Sequence, residues 1–556
     1  MMVVTALFLF AYFAFKAAGQ YTTPPFANTS GPVGPAIELG YIKVQGTRAA
    51  FGNFSAKAWL GIRYAQDPTG DLRLAPPVPI EGSHGNYSRL FNATTYGPIC
   101  YQAAASAYQG ETAAATAAAY GIGNRHPSED CLLLDVYAPD NPVSESLPVL
   151  FYIHGGGYIQ GCSTMGIQPG DIFASLPGQV IVVSVQYRLA GFGFLGGDRI
   201  AHNGALNAGL QDQRLALEWV RRHISSFGGD PNRLILDGGS AGGGSVLFQL
   251  MWKGGEQNPP YKAAMAEFPA IPTVLNSSQL EIQYHQVLSA ANCSDIQCLR
   301  SLSGAQFDAA QQTVLTQDAS SYSYGLFYYA PYADGTFIQN MPSVELSLGH
   351  LAPVVLMTSR EGNEGLIFTP ANITTTADWE AEVHSLFNGG VNFSVSSGAV
   401  CIQWTPPTCR MVIGDAFIAC VSQFAASAAT NVLSQIQNNQ DPPVWKFIYA
   451  YPTYATAYHG SYYPHIYTGH RYSPSDNSTV AQIGRALTQY YTSFILHYDT
   501  NAGVNGTGSS ASPWPRYGTD SNVVFFGSDG GLSNITDLDI GPRCQFLQAH
   551  PTNYQV

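Results

Sequence analysis

Five short runs dominated by apolar residues constrain this chain more than any other feature. They are 149–153 (VLFYI), 180–185 (VIVVSV), 234–236 (LIL), 354–357 (VVLM) and 444–450 (VWKFIYA). A strand with one wet face alternates polar and apolar residues; these do not. They read as strands buried on both faces, as in a mainly parallel sheet. Between them lie helical stretches, the clearest being 208–224 (AGLQDQRLALEWVRRHI), where apolar residues recur at three and four. Strand–helix alternation of this kind predicts an α/β fold with right-handed crossovers. No internal repeat and no charged linker divides the chain, the nearest candidate being the Ala-rich 103–120. One large domain over 20–556 is the simplest organisation, since 556 residues, 46% of them hydrophobic, supply a single large core.

Charge narrows the partners. Twenty-four Lys and Arg against 37 Asp and Glu leave a net charge of −13, with no basic run. That balance argues against nucleic acid and against anionic lipid surfaces.

The N-terminal 1–15 is almost wholly apolar and ends in Lys16, Ala17, Ala18 and Gly19 before polar sequence. Such a run reads as a secretory signal, residues 1–19, cut after Gly19. The competing reading is a short membrane anchor, because no basic residue precedes the apolar run. The run falls short of the roughly 20 residues a span needs, and no later stretch reads as long enough, so no stable membrane insertion is expected. Export agrees with the sequons at Asn28, Asn53, Asn86, Asn92, Asn276, Asn292, Asn372, Asn392, Asn477, Asn505 and Asn534. Nine cysteines in an oxidising compartment imply disulfides and at least one thiol outside them. Spacing pairs Cys293 with Cys298 and suggests Cys401 with Cys409. Cys162 and Cys420, in Gly-rich or apolar segments, read as buried thiols. There is no CxxC and no His/Cys cluster at metal spacing, so neither metal nor cofactor is expected.

Two motifs carry chemistry. Gly238-Gly239-Ser240-Ala241-Gly242 follows the strand 234–236 and precedes the helix-like 245–251. Small residues on both sides permit a sharp strand-to-helix turn that presents the Ser240 oxygen, with the positive end of the helix dipole behind it. His154-Gly155-Gly156-Gly157-Tyr158 ends the strand 149–153. An attacked carbonyl develops negative charge, which needs fixed donors. The N–H groups of Gly156, Gly157 and Ala241 are the candidates for that oxyanion hole. His154 is expected to pack the loop rather than transfer protons.

The stretch from Phe227-Gly228-Gly229-Asp230-Pro231-Asn232-Arg233-Leu234 through Ser240 resembles the nucleophile signature of the type-B carboxylesterase/lipase family, which includes cholinesterases and fungal lipases. Glu129-Asp130-Cys131-Leu132-Leu133-Leu134-Asp135-Val136-Tyr137-Ala138-Pro139 resembles its second signature, with Leu133 where an aromatic or Thr is usual. Gly61-Ile62-Arg63-Tyr64-Ala65, Tyr187-Arg188-Leu189, Gly193-Phe194-Leu195 and Trp514-Pro515 fit too, so the similarity runs from about Gly40 to the C-terminal region. The resemblance implies an α/β-hydrolase fold, a central mostly parallel sheet flanked by helices. It also implies a secreted serine ester hydrolase forming an acyl-enzyme. The family orders its triad Ser, Glu, His. That order falls here on Ser240, Glu364 in Glu364-Gly365, and His459 in His459-Gly460-Ser461, because a serine alcohol needs a histidine base and that base needs an orienting carboxylate. Glu361 is the competing acid three residues earlier. The family also pairs Cys100 with Cys131, worth roughly 3–4 kcal/mol on a chain-entropy estimate, and supports Cys293–Cys298.

Three departures bear on substrate. Gly239 stands where cholinesterases carry Glu, the Cys100–Cys131 loop holds no Trp, and Phe268 falls where many relatives have a second serine. A choline ester is therefore not the expected substrate. The sequence points to short- to medium-chain or bulky-alcohol esters. A true lipase on long-chain acylglycerols or sterol esters is the alternative, and a non-catalytic adhesion or binding member is the alternative of another class. The partner is a small-molecule or lipid ester; oligomeric state is not legible.

Overall fold

The computed structural model describes residues 27–34, 36–51, 54–80, 89–103, 125–166, 168–318, 328–369, 375, 377, 413–437, 441–502 and 512–550. A twelve-stranded sheet organises them. In chain order its strands are β1 Ala27–Pro32, β2 Thr47–Phe51, β3 Phe54–Arg63, β4 Leu133–Pro139, β5 Leu147–Ile153, β6 Ile181–Val185, β7 Gly229–Gly239, β8 Ala263–Glu267, β9 Val355–Glu361, β10 Val444–Tyr449, β11 Asn522–Phe526 and β12 Leu532–Thr536. In space they run β1-β2-β3-β4-β6-β5-β7-β8-β9-β10-β11-β12. Pairing is antiparallel from β1 to β6, parallel from β6 to β11, and antiparallel again at β12.

All five apolar runs fall on strands of the parallel section, and every residue of β5, β6, β8 and β10 is buried. That is why their sequences do not alternate. The helix expected over 208–224 is α1, Ala208–His223, passing into a 3-10 turn at Ile224. The helix after Ser240 is α2, Ala241–Met251, four residues longer at its start than its apolar sequence suggests. Gln213 Nε2 donates to Ser245 Oγ (3.0 Å) and Gln249 Nε2 to the Leu210 carbonyl (3.0 Å), tying α1 to α2. Helix α2 packs on β7 and β8; α3, Cys420–Gln437, packs on β9 and β10. The arrangement is the expected central, mostly parallel sheet flanked by helices.

Among the described residues, one helix, Asp415–Ile436, is long and apolar enough to cross a membrane by composition, yet 89% of its apolar window is buried inside the protein. It is a core helix here. The expectation that no later stretch is long enough to span is corrected on length and composition, and burial accounts for this segment as part of the core.

Cys100 bonds to Cys131, Cys293 to Cys298, and Cys420 to Cys544 across 124 residues. The reading of Cys420 as a buried thiol is therefore corrected. Its apolar surroundings gave no sign of a partner so far along the chain. Cys162 is buried and outside any disulfide, with Arg125 Nη2 2.8 Å from its sulfur. Cys401 and Cys409 lie outside the described residues, as do residues 1–19 and the sequons at Asn53, Asn86, Asn372, Asn392 and Asn505. Asn92, Asn276, Asn292, Asn477 and Asn534 are exposed, and Asn28 lies on β1.

A second frame is ionic. Arg360 on β9 grips Asp539 in a two-pronged contact (2.8 and 2.7 Å), and Lys446 on β10 reaches both Asp537 (2.7 Å) and Asp539 (2.7 Å). All four side chains are buried. Burial alone would raise the Asp539 carboxyl, but the two cations outweigh it and hold it well below the ordinary range.

Candidate active site

Ser240 caps α2 directly after β7, with φ 61° and ψ −128°. A non-glycine residue with positive φ is strained and persists only where neighbours fix it. They do so here. The Ser240 N–H donates to the Glu267 carbonyl (3.1 Å), and its carbonyl accepts from Ala270 (2.9 Å) and Gly244 (2.9 Å). The flanking small residues are required by space. A Cβ on Gly242 would stand 2.1 Å from the Ile153 carbonyl oxygen, and one on Gly238 would meet Gly242 at 2.6 Å.

The other two chain segments arrive from β9 and β10. After Glu361 the chain turns through Gly362 and Asn363 into a 3-10 turn beginning at Glu364. The loop after β10 is stitched to that turn. Gly362 N–H donates to the Tyr449 carbonyl (2.8 Å), Asn363 N–H to the Ala457 carbonyl (2.8 Å), and Asn363 Nδ2 to the Ala455 carbonyl (2.8 Å). His459 is thereby brought to Ser240. Its Nε2 lies 2.8 Å from Ser240 Oγ and its Nδ1 lies 2.6 Å from Glu364 Oε2. Glu364 Oε1 accepts the backbone N–H of Glu361 (2.6 Å). His459 and Glu364 are buried at 7% and 3% exposure, so this chain of hydrogen bonds works in a poorly hydrated setting. Phe268 and Phe368 each set a ring edge-on to His459, at 4.9 Å.

The glycine loop passes against the serine. Gly155 sits so close that a Cβ there would meet the Gly239 carbonyl at 2.6 Å and Ser240 Cβ at 3.1 Å. Gly156 (φ 101°) and Gly157 (φ 64°) follow in a backbone region that favours glycine. Ala241 is the first residue of α2, where helix N–H groups lack partners within the helix. His154 is buried, stacks on Tyr187 (4.5 Å) and has Nδ1 2.8 Å from the Gly155 carbonyl. Desolvation lowers it to about 4, so it is neutral and packs the loop.

Reading from the sequence alone missed several groups around this centre. Ser359 Oγ, 2.5 Å from Tyr462 OH, accepts the Phe268 N–H (3.0 Å) and holds the ring that faces His459. Beneath Ser240, Asp237 and Glu267 are buried on neighbouring strands. Desolvation pushes Asp237 up to about 8; burial and then Asp237 push Glu267 well above the carboxylate range. Only alternation within apolar strands could have flagged them. Glu361 comes within 4.8 Å of both Glu364 and His459. That trio has metal-like spacing, but both His459 nitrogens are already engaged by Ser240 and Glu364.

A cavity of about 680 Å³ lies elsewhere, lined by Arg48, Lys57, Trp59, Leu147, Ile181 and Gly228. Leu147, Ile181 and Gly228 stand where β5, β6 and β7 begin, whereas ligands of open α/β sheets bind at the strands' carboxyl ends. Ser240 is at that carboxyl end.

A sequence model of the carboxylesterase family matches residues 34–531. Carboxylesterase patB of Penicillium expansum is 32% identical over 92% of this chain and 95% of its own length. The secreted triacylglycerol lipase LIP1 of Gibberella zeae is 28% identical over 93% of this chain and 92% of its own. Among solved structures, EstA of Aspergillus niger superposes with a TM-score of 0.74 at 24% identity, covering 94% of this chain and 99% of that one.

Proposed function

This chain belongs to the carboxylesterase family and is a carboxylic ester hydrolase, and we propose that it works through an acyl-enzyme on Ser240, with His459 as base and Glu364 as the orienting carboxylate. The observation that carries this reading is the unbroken relay from Ser240 Oγ through His459 to Glu364, at 2.8 and 2.6 Å.

In the proposed reaction, Ser240 gives its proton to His459 Nε2 as the oxygen attacks the ester carbonyl. Glu364 accepts the Nδ1 hydrogen, fixes the tautomer and offsets the imidazolium charge. The carbonyl oxygen takes up the negative charge between the N–H groups of Gly156, Gly157 and Ala241, the proposed oxyanion hole. His459 then returns the proton to the departing alcohol, and water repeats the sequence on the acyl-enzyme. His459 receives each proton, from Ser240 and then from water, and passes it on, first to the departing alcohol and then back to Ser240, so the steps as drawn call for no metal or cofactor.

The preferred substrates are uncharged esters with short- to medium-length acyl groups, bulky alcohols included. An oil-responsive lid needs a broad apolar face. The sequence between Cys100 and Cys131 is rich in Ala, and at about 25 cal/mol per Å² such side chains gain little at an oil surface. Gly239 and the lack of Trp in that loop remove the Glu and the Trp that would hold a quaternary ammonium group. A second reading, hydrolysis of long-chain acylglycerols, draws on the relatives named as lipases. We place the protein outside the cell as one glycosylated domain. Relatives named as secreted and three disulfides support export. The test is the rate on p-nitrophenyl esters of increasing acyl length against emulsified triolein. A triolein rate that jumps above the solubility limit and exceeds the butyrate rate would establish the lipase reading instead.

A further inference from the structure

One ionisable side chain at this centre has no part in the Ser240–His459–Glu364 relay. Glu361 is the last residue of β9 and fully buried. Its carboxyl group comes within 4.8 Å of both Glu364 and His459, while its backbone N–H holds Glu364 Oε1. Its carboxyl group shares a hydrogen bond with the Glu364 carboxyl and meets the backbone of Tyr462 and Gly460.

Charge decides its state. Two carboxylates this close, out of water, cannot both ionise unless a cation stands between them. The nearby cations are committed elsewhere. Arg360 grips Asp539, and Lys446 is held by Asp537 and Asp539. The remaining titratable groups that face Glu361 are Tyr449 on β10, Tyr458 and Tyr462 on the following loop, and His459 itself. Of the two acids, Glu364 is the one whose carboxyl oxygens accept from both His459 and the Glu361 N–H. Burial, then the neighbouring Glu364 charge, pushes the Glu361 carboxyl well above the usual carboxylate range.

We infer that Glu361 is a positioning residue for ester hydrolysis, a neutral carboxyl group that turns its proton toward the Glu364 carboxylate and keeps it aligned with His459. The inference rests on the reading of Ser240, His459 and Glu364 as the triad. An ionised Glu361 would set a second negative charge beside His459 and favour the imidazolium before any substrate arrived, removing the base. A protonated one leaves the imidazole free to accept from Ser240, and its dipole steadies Glu364 when the imidazolium forms. This is the device of a carboxylic acid kept neutral by its site so that it can donate.

The test is the pH dependence of kcat and KM on p-nitrophenyl butyrate for the full-length wild type, Glu361→Met, Glu361→Gln and Glu364→Gln, with a melting curve for each. Glu361→Met keeps the volume but not the donor, and is expected to lower kcat by about tenfold or more at little-changed KM. Glu361→Gln restores a neutral donor and should bring kcat back to within about threefold of wild type. In that variant the acid limb of kcat/KM should stay in place, since no charge has been removed. An acid limb displaced by about half a pH unit or more toward low pH would mean that Glu361 is ionised, and would overturn the inference. A wild-type kcat in folded Glu361→Met, or no rescue by Glu361→Gln, would overturn it as well. Should Glu361→Met not fold, the acid limb of Glu361→Gln decides. A Glu364→Gln enzyme with normal turnover contradicts the triad itself, whatever the Glu361 variants do.

Discussion

Ser240 Oγ stands 2.8 Å from His459 Nε2, although 219 residues of sequence separate them. The contact joins the end of β7 to the loop after β10, and the Asn363 hydrogen bonds to that loop carry Glu364 to the far side of the imidazole. Members of such a relay fail as a unit. His459→Ala should therefore reduce kcat about as severely as loss of the serine, and Glu364→Gln by about 10³-fold or more. His470, whose Nδ1 lies 2.8 Å from the Tyr467 carbonyl away from this relay, should tolerate Gln with kcat little changed. Steady-state kinetics on p-nitrophenyl butyrate, with melting curves as a folding control, separate these outcomes.

The parallel section of the sheet was legible because strands buried on both faces must be apolar throughout, as 149–153 and 180–185 are. The Ala263–Glu267 strand was not. Its alanines favour helix by propensity, and only its place between two parallel strands makes it a strand. Ser240 and the glycine loop stood out because their chemistry is local: a turn needs small residues, and a developing charge needs donors. Glu364 and His459 carry no local signal, and resemblance to a family was what singled them out. Glu361 was visible only as a rival to Glu364. Its fully buried position beside both Glu364 and His459 is a property of the folded loop pair. The Cys420–Cys544 bond was hidden for the same reason, a partner 124 residues away.

The elbow has no room for a methyl group at Gly242, where a Cβ would lie 2.1 Å from a backbone oxygen on β5. Gly242→Ala should destabilise the protein by about 3 kcal/mol, since a carbonyl within a sheet cannot move aside as a side-chain tip can. Activity should fall along with stability. Urea denaturation of the purified variant gives the figure; a midpoint equal to wild type would mean the turn is looser than described.

Asp237 and Glu267 give stability a definite pH sign. Asp237 rises from 3.8 to about 8 because burial disfavours its charge, and Glu267 is raised in the same direction. In both, the folded state binds the proton more tightly than the unfolded chain. The Asp237 contribution is complete below pH ~4 and is lost as pH rises through about 8, with a slope of up to about 1.4 kcal/mol per pH unit, and Glu267 acts with the same sign. Asp237→Asn should flatten the fall in melting temperature across that window. An unchanged slope in the variant would mean that Asp237 ionises without penalty.

Asp539 works with the opposite sign. Arg360 and Lys446 hold its carboxyl low, so its contribution is present above the ordinary carboxylate range and fades only in strong acid. Asp539→Asn leaves Arg360 short of its two-pronged partner and Lys446 short of one of its two, all within the core. A loss of about 3–5 kcal/mol is expected at pH 7. Denaturant midpoints of variant and wild type at that pH check it.

The central claim, that Ser240 is the attacking nucleophile, is tested most directly by covalent labelling. The protein is treated with a dialkyl p-nitrophenyl phosphate, and intact mass and peptide mapping locate the adduct while residual hydrolysis of p-nitrophenyl butyrate is followed. The expected result is one phosphoryl group per chain, on Ser240, with activity lost in proportion. Ser240→Ala should take up no label, melt like wild type, and hydrolyse the ester about 10⁵-fold more slowly or worse. A folded Ser240→Ala protein with near-normal turnover, or inactivation through an adduct on another residue, would contradict the account.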